Sequence, residues 1–414
     1  MDFDSLVGEV NEFLGATDIF VRGDQKLQRM RDLMAALGNP QNEVRAVHVA
    51  GTSGKTSTAY FAAEFLRRAG YEVGLTVSPH IEDVRERAII GGEVLSKGEY
   101  AGRLAEFLEL VREIGLQPSY FEFYMAFFYW LAVWEKLDFV VVETGLGGLH
   151  DGSNVISRPD KICIITDIGF DHMEILGESL AEIAEQKAGI IQSGNAVFMY
   201  EQGLEVMDVV RARCEEVGAK LTVVRDDESP DFQVRNAGLA AQALEEQVGL
   251  TPGDLADMQV PARAEEFSWR GKKVILDGAH NPQKLRAFAD FVKSRGDEAA
   301  ILVVSFGANK AASLAENLAI LRELGERVVL ASFQDMSLET NFRESLDFAV
   351  MEEAAKEAGF GDVEVGGAAE SALERAAKKA DELGVKKIIV VGSFFLASDA
   401  RRVMMDKIKL LTTQ

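Results

Sequence analysis

Residues 45–50 read RAVHVA, an apolar run with one polar interruption, and pass directly into GTSGKTS at 51–57. The stretch that follows, TAYFAAEFLRRAG, carries its apolar side chains at helical spacing and ends at Gly70, which suits a helix stop. The predicted order is strand, glycine-bearing loop, helix. Upstream, the first forty residues read as helices, with LQRMRDLMAALG (27–38) amphipathic and stopped by Gly38 and Pro40. Downstream, YEVGLTVSP (71–79) predicts a strand, 97–115 and 120–136 predict helices, and DFVVVETGLGG (138–148) is an almost wholly apolar strand of the kind covered on both faces. KICIITDIGFDHMEILG (161–177) repeats that device. Ser179 and Glu182 form a capping box opening a helix over 180–188 that ends at Gly189. Strands near 196–200 and 220–226 flank a helix, and Asn236 begins another that runs to 249.

The pattern changes at PARAEEFSWRGKKVILDGAHNP (261–282), where a strand over 273–277 is followed by an Asp-Gly turn and His280. Apolar strands at 299–307, 327–333 and 386–395 then alternate with helical segments. This alternation predicts an α/β protein: a phosphate-loop, parallel-sheet domain over residues 1–261 and a second, smaller Rossmann-like α/β domain over 262–414. A cleft between two such domains suits a nucleotide and a second substrate.

A length of 414 residues agrees with more than one domain. The net charge of -23 argues against nucleic acid or an anionic membrane as partner, because a binding face there must be basic. The longest apolar stretch, FYMAFFYWLAVW (123–134), is shorter than a bilayer span and predicts a buried helix. The acidic start MDFDSLVGEV has no signal or anchor pattern, so the cytoplasm is the expected compartment. Cys163 and Cys214 lie outside any CxxC spacing and are expected as reduced, structural thiols.

The loop at 51–57 carries the first chemistry. Gly51 and Gly54 let backbone N–H groups turn towards a phosphate, the helix N-terminus adds partial positive charge, and Lys55 places a point charge between phosphates. Thr52 and Ser53 lie within the loop, and Thr56 and Ser57 offer hydroxyls towards magnesium. The long Walker spacing asks for glycine where Val49 stands, so the match is to the shortened GTxGK[ST] form. Glu143, at the end of an apolar strand, is a candidate magnesium ligand or a cap for the next loop. Asp167, Asp171 and His172 leave the following strand in the same way, and Ser78, Glu143 and His172 are expected to converge on one ion beside Lys55. Arg85 and Arg87 could hold an anion or pair on the surface. Lys187, in the last turn of its helix, reads first as a cation paired with the helix C-terminus.

Seven ordered segments together carry a resemblance: LGNPQ (37–41), HVAGTSGKTST (48–58), SPHIEDVRER (78–87), ETGLGGLHDGSNVI (143–156), IGFDHMEILGESLAEIAEQKAGI (168–190), ILDGAHNP (275–282) and VVGSFFLASDAR (390–401). In this order they resemble the motifs of folylpolyglutamate synthase and dihydrofolate synthase, in the Mur ligase superfamily. The resemblance implies an enzyme that uses ATP and magnesium to join L-glutamate to the γ-carboxylate of a reduced folate through an acyl phosphate. Its close variants join glutamate to dihydropteroate, or do both.

By motif, it implies that Gly51 to Ser57, Asn236, Arg263, Asp277 and His280 serve the nucleotide, that Ser78, Glu143 and His172 bind magnesium, and that His80, Arg85 and Arg87 meet the substrate. Lys55, Lys187 and His172 are the implied catalytic residues, and Lys187 matches the lysine carbamylated in the superfamily, which replaces the first reading of it. Small-molecule partners and a monomer are expected. The chain departs from the family at Ser53 and Thr56, at Leu149 in place of an arginine, at His150, and at SFGANK (305–310). A different class, a nucleotide-binding module without ligation, is disfavoured by the joint presence of Lys55, Glu143, His172 and Lys187.

Overall fold

A computed structural model describes residues 2–15, 24–226, 229–251, 253, 255, 258–296, 298–333 and 344–412. The part of the helical N-terminal expectation at 16–23 lies outside them. The chain divides into two compact units, one of Met1–Ser229 with Gln233–Ala256 and the other of Pro230–Phe232 with Asp257–Gln414.

In the first unit, eight strands form one sheet: β1 (Arg45–Ala50), β2 (Val73–Thr76), β3 (Ile89–Ile90), β4 (Glu93–Val94), β5 (Phe139–Glu143), β6 (Ile162–Ile165), β7 (Ala196–Tyr200) and β8 (Lys220–Val224). Their order is β4-β3-β2-β5-β1-β6-β7-β8. The stretch β2-β5-β1-β6-β7-β8 is parallel throughout, while β3 and β4 add an antiparallel hairpin at one edge. Central strands covered on both faces are apolar over most of their length, and β5 (FVVVE) and β6 (ICII) are buried along their whole length. Because β2, β5, β1 and β6 run the same way, their C-terminal ends share one edge of the sheet. The residues leaving those ends are Ser78, Glu143, Gly51 and Thr166.

The helix Tyr120–Trp134 opens on a capping box of Ser119 and Glu122 and buries most of its aromatic side chains, Phe123, Phe127 and Phe128 completely. Each such side chain adds about 1.5–3 kcal/mol of burial. Among the described residues no helix is long and apolar enough to cross a membrane. Cys163 and Cys214 are buried free thiols, both pushed up to about 11 by burial.

The second unit holds six strands: β9 (Glu265–Trp269), β10 (Lys272–Leu276), β11 (Ala300–Val304), β12 (Arg327–Ser332), β13 (Asp362–Ala368) and β14 (Lys387–Val391), in the order β13-β12-β11-β14-β10-β9. All pairs are parallel except β9 with β10. The sequence pattern missed β9 and β13. Their side chains are half-exposed and their composition is polar or glycine-bearing, so neither shows an apolar run.

Two helix starts differ from expectation, one of them in the stretch 386–395 expected as strand, where β14 ends at Val391 and the helix Phe394–Thr412 begins. The helix expected to begin at Asn236 runs Phe232–Val248, which puts Asn236 one turn inside it and buried rather than at its cap.

Candidate active site

The loop after β1 is fixed by its neighbours before any ligand is considered. A Cβ added to Gly51 would lie 1.8 Å from Thr166 Oγ1, and one added to Gly54 (φ +89°) would lie 2.5 Å from Asn236 Oδ1. Only glycine fits at either place. The Thr52 and Ser53 N–H groups donate to the Asp167 carbonyl at 2.8 and 3.2 Å, and Thr52 Oγ1 donates to the Gly169 carbonyl at 3.0 Å. The Asp167 carboxylate is held by Arg235, 3.1 Å away, whose guanidinium also meets Asp226 at 2.7 Å. So the end of β6 and the helix carrying Arg235 and Asn236 hold the loop from two sides. The helix Lys55–Arg68 starts directly behind it, with Thr56 and Ser57 buried in its first turn.

Lys55 and Lys187 meet at this loop. Lys55 Nζ donates to the Gly51 carbonyl at 3.0 Å, and Lys187 Nζ donates to the same oxygen at 2.9 Å. Lys187 is 3% exposed and stands in the last turn of the helix Leu180–Ala188. Two cations on one carbonyl repel each other, and an arriving polyphosphate or an acidic group on one of them relieves that repulsion.

The end of the Lys187 helix is closed by several donors: the Leu149 N–H to the Gln186 carbonyl (2.6 Å), Asn154 Nδ2 to Gly189 (3.0 Å), and the buried Lys161 ammonium to Ile190 (2.8 Å). Leu149, the departure from the family arginine, packs so tightly on Gly189 that an added Cβ there would lie 2.4 Å from the Leu149 Cα.

Glu143 is 2% exposed, with Oε1 accepting from the Thr56 hydroxyl at 2.8 Å and Oε2 from the Ser78 N–H at 3.2 Å. Among the described residues no three or more His, Cys, Asp or Glu side chains form a metal cage. Magnesium needs none, since it commonly takes one or two protein oxygens and completes its shell with phosphate and water. A buried carboxylate against a threonine hydroxyl at the head of a phosphate loop fits that ion. His172, the third expected ligand, has φ +50°, and its ring lies 4.0 Å from Asp171 and 3.7 Å from Glu174.

In the 78–87 segment the two arginines differ. Arg85 is occupied by Asp83 (2.6 Å) and the Leu95 carbonyl (2.9 Å). Arg87 is 3% exposed, donates to His80 Nδ1 at 3.1 Å and lies 5.1 Å from the Tyr120 ring centre. Glu86 between them accepts from the Ile81 and Glu82 N–H groups at 2.7 and 2.6 Å, and burial pushes its carboxyl up to about 7.

Arg263, Asp277 and His280 lie in the second unit. Asp277, just beyond β10, accepts from the Ala264 and Ala279 N–H groups at 2.7 Å each. His280 Nδ1 lies 2.8 Å from the Gly278 carbonyl, so that nitrogen carries the proton and Nε2 accepts from Lys284 at 3.3 Å. The Arg263 guanidinium lies 5.2 Å from the Phe394 ring centre.

Complete burial pushes the Asp277 carboxyl up to about 6, against the pull of Arg263 and of its backbone donors. The folded state therefore keeps this proton when the unfolded chain has lost it. Its stabilising contribution is complete below about pH 4 and is lost as pH rises through about 6, a change of about 3 kcal/mol. Denaturant melts of the protein and of Asp277→Asn at pH 4 to 7 are expected to show the difference between the two shifting by that amount, in that direction. A constant difference across the range rules the titration out.

The chain is similar to known proteins along most of its length. The Mur ligase middle domain matches residues 49–261, and the dihydrofolate synthetase C-terminal domain matches residues 262–403. The Bacillus subtilis dihydrofolate synthase/folylpolyglutamate synthase is 32% identical over 350 residues, covering 74% of this chain and 81% of the relative. The chain belongs to the folylpolyglutamate and dihydrofolate synthase family. The folylpolyglutamate synthase of Lacticaseibacillus casei is 28% identical over 92% of this chain and 95% of its own. In structure, the Mycobacterium tuberculosis folylpolyglutamate synthase complexed with ADP and AMPPCP superposes with a TM-score of 0.83 at 26% identity, over 97% of this chain and 99% of that one.

Family motifs named the loop, Glu143 and Lys187, but gave no role to Thr166, Asp167, Arg235 or Asn154, which hold them. Their signal is weak in sequence, because each acts on a partner distant along the chain. Of these, Asp167 alone was marked in the sequence, by its place at the end of an apolar strand.

Proposed function

We propose that this protein is an ATP-dependent ligase that adds L-glutamate to the γ-carboxylate of a reduced folate through an acyl phosphate. The observation that carries the reading is the meeting of Lys55 and Lys187 on the Gly51 carbonyl. Beside it, at the head of the same loop, Thr56 meets Glu143.

In this reading the loop of residues 51–57 holds the triphosphate, through the Lys55 ammonium and the N–H groups that open the Lys55–Arg68 helix, with Asn236, Arg263, Asp277 and His280 serving the nucleotide. A folate carboxylate oxygen attacks the γ-phosphorus and ADP leaves. The glutamate amine then adds to the acyl carbon, loses its proton and expels inorganic phosphate. Magnesium, held by Glu143 with Ser78 and His172, supplies positive charge where two anions must approach. Lys187, carbamylated by carbon dioxide, turns from a cation into a carboxylate-like group that orients the substrate side. His80, Arg85 and Arg87 meet the acidic tail. The division of labour falls at 261/262, and the protein works as a cytoplasmic monomer.

Dihydropteroate is a second acceptor worth testing, because the Bacillus relative carries both activities in its name. Phosphate release from ATP is measured with magnesium, L-glutamate and either tetrahydrofolate or dihydropteroate, omitting each in turn, and products are weighed by mass spectrometry. A gain of one glutamyl mass that needs all components is expected. Release of ADP without an amine would make the protein a kinase, and nucleotide binding with no product would leave a binding module.

A further inference from the structure

Behind the active-site edge lies a buried polar chain that ligation chemistry does not use directly. His48, in the middle of β1, is fully buried, and its Nε2 lies 2.9 Å from Ser153 Oγ and 3.1 Å from Thr144 Oγ1. Ser153 Oγ lies 2.5 Å from Asp151 Oδ1. Asp151, 2% exposed, also accepts from the N–H groups of Ser153 (3.0 Å), Gly145 (3.3 Å) and Leu146 (2.9 Å).

The proton polarity follows from these partners. A carboxylate only accepts, so the Ser153 hydroxyl donates to Asp151 and its lone pairs face His48. Nε2 must then carry the imidazole proton, shared between the Ser153 and Thr144 oxygens, and Nδ1 is left as a bare acceptor. Nδ1 is indeed buried without a hydrogen-bond partner among the described residues. Burial, with the Lys161 ammonium nearby, keeps this imidazole neutral well below the usual histidine range. The trio has the residue types of a nucleophilic triad, but the serine sits between acid and imidazole and gives its proton to the acid. It therefore cannot be a nucleophile of the usual kind.

The chain holds the loop between Glu143 and Asn154 in shape. That loop lays the Leu149 N–H on the Gln186 carbonyl and Asn154 Nδ2 on the Gly189 carbonyl, on either side of Lys187. The fit is close, since a Cβ on Gly148 would lie 2.5 Å from the Gln186 oxygen. We propose that His48 is a positioning residue: through Ser153 and Asp151 it fixes the 144–154 loop against the end of the Lys187 helix and so sets where Lys187 stands. This rests on the ligase reading for its effect on turnover, though not for its effect on the loop.

The test compares His48→Phe, His48→Gln and Ser153→Ala with the unaltered protein. Amide hydrogen exchange is read over residues 144–154, 186–191 and 51–57, ADP affinity by calorimetry, and kcat and KM in the glutamate-dependent assay. His48→Phe and Ser153→Ala are expected to bind ADP within about 2-fold of the original and to lose about 10- to 100-fold in kcat. Exchange at 144–154 and 186–191 should rise about 10-fold, with 51–57 unchanged. His48→Gln, which keeps an N–H near the Nε2 position, should recover most of the kcat.

Normal kcat in folded Ser153→Ala, or a glutamine variant no better than phenylalanine, overturns the proposal. If His48→Phe does not fold, Ser153→Ala decides alone. If the unaltered protein shows no glutamate-dependent turnover, the ligase reading falls, and the exchange comparison still decides whether this chain holds the loop.

Discussion

Lys187→Ala is expected to remove glutamate-dependent phosphate release while leaving ADP affinity close to that of the unaltered protein. The two halves of this expectation come from one contact. Lys187 meets the phosphate loop at the Gly51 carbonyl, which Lys55 also binds, so the loop keeps a cation on that oxygen after the change. The loop's shape is set elsewhere, by the Asp167 carbonyl on the Thr52 and Ser53 N–H groups. Nucleotide binding therefore has little reason to fall.

Turnover does, because a fixed charge in a water-poor site is worth far more than in solvent. Removing one such group costs about 100- to 1,000-fold in kcat. Lys187→Arg separates the two possible charge states. A guanidinium keeps the positive charge but is too weak a nucleophile to take up carbon dioxide, so Arg is expected to fail as Ala does if the carbamate is the working form. Partial recovery of Lys187→Ala by added acetate would point the same way. Recovery by arginine would instead make the ammonium the working form and remove carbamylation from the reading. Turnover of Lys187→Ala equal to the original would remove Lys187 altogether.

Parts of the site were legible in the sequence because they are written locally. A switch from an apolar run to glycine, lysine and hydroxyls, followed by helical spacing, marks the loop at 51–57. Glu143 stands out because it ends a run of buried residues. The helix of Lys187 announces itself through Ser179 and Glu182, which form its capping box in the structure.

What escaped the sequence was long-range. Asn236 was expected to open a helix because asparagine favours caps. In the structure it lies inside that helix, beside Gly54, and nothing within a few residues of it encodes that partnership. Arg235 finds Asp167 across 68 residues, and His48 finds Ser153 across 105. No periodicity reports such pairs. β13 was hidden for a different reason: at the sheet edge only part of a strand is buried, so its composition was never forced to be apolar.

Gly51→Ala is expected to be as damaging to nucleotide binding as Lys187→Ala is to turnover. Gly51 has φ +154°, and the added methyl would lie 1.8 Å from Thr166 Oγ1, 3.0 Å from Thr166 Cβ and 3.3 Å from its carbonyl carbon. The oxygen alone could rotate away, but the other two atoms belong to the rigid exit of β6. Thr166 is 3% exposed and its N–H donates to the Ala50 carbonyl at 2.8 Å, so it cannot retreat without opening the β1–β6 ladder. Overpacking of this kind costs about 1–3 kcal/mol of stability.

The larger effect is on the loop itself, because the yielding element is the one that is not in a sheet. Moving it takes the Gly51 carbonyl from Lys55 and Lys187 and turns the loop N–H groups off the phosphates, and ADP affinity is expected to fall by about 100-fold or more. The double variant Gly51→Ala with Thr166→Ala tests the cause. It removes the 1.8 Å clash, leaves the 3.0 Å contact, and should recover part of the binding. Affinity unchanged in Gly51→Ala would mean that the loop does not close on Thr166 as described, and with it the shared carbonyl of Lys55 and Lys187 would lose its support.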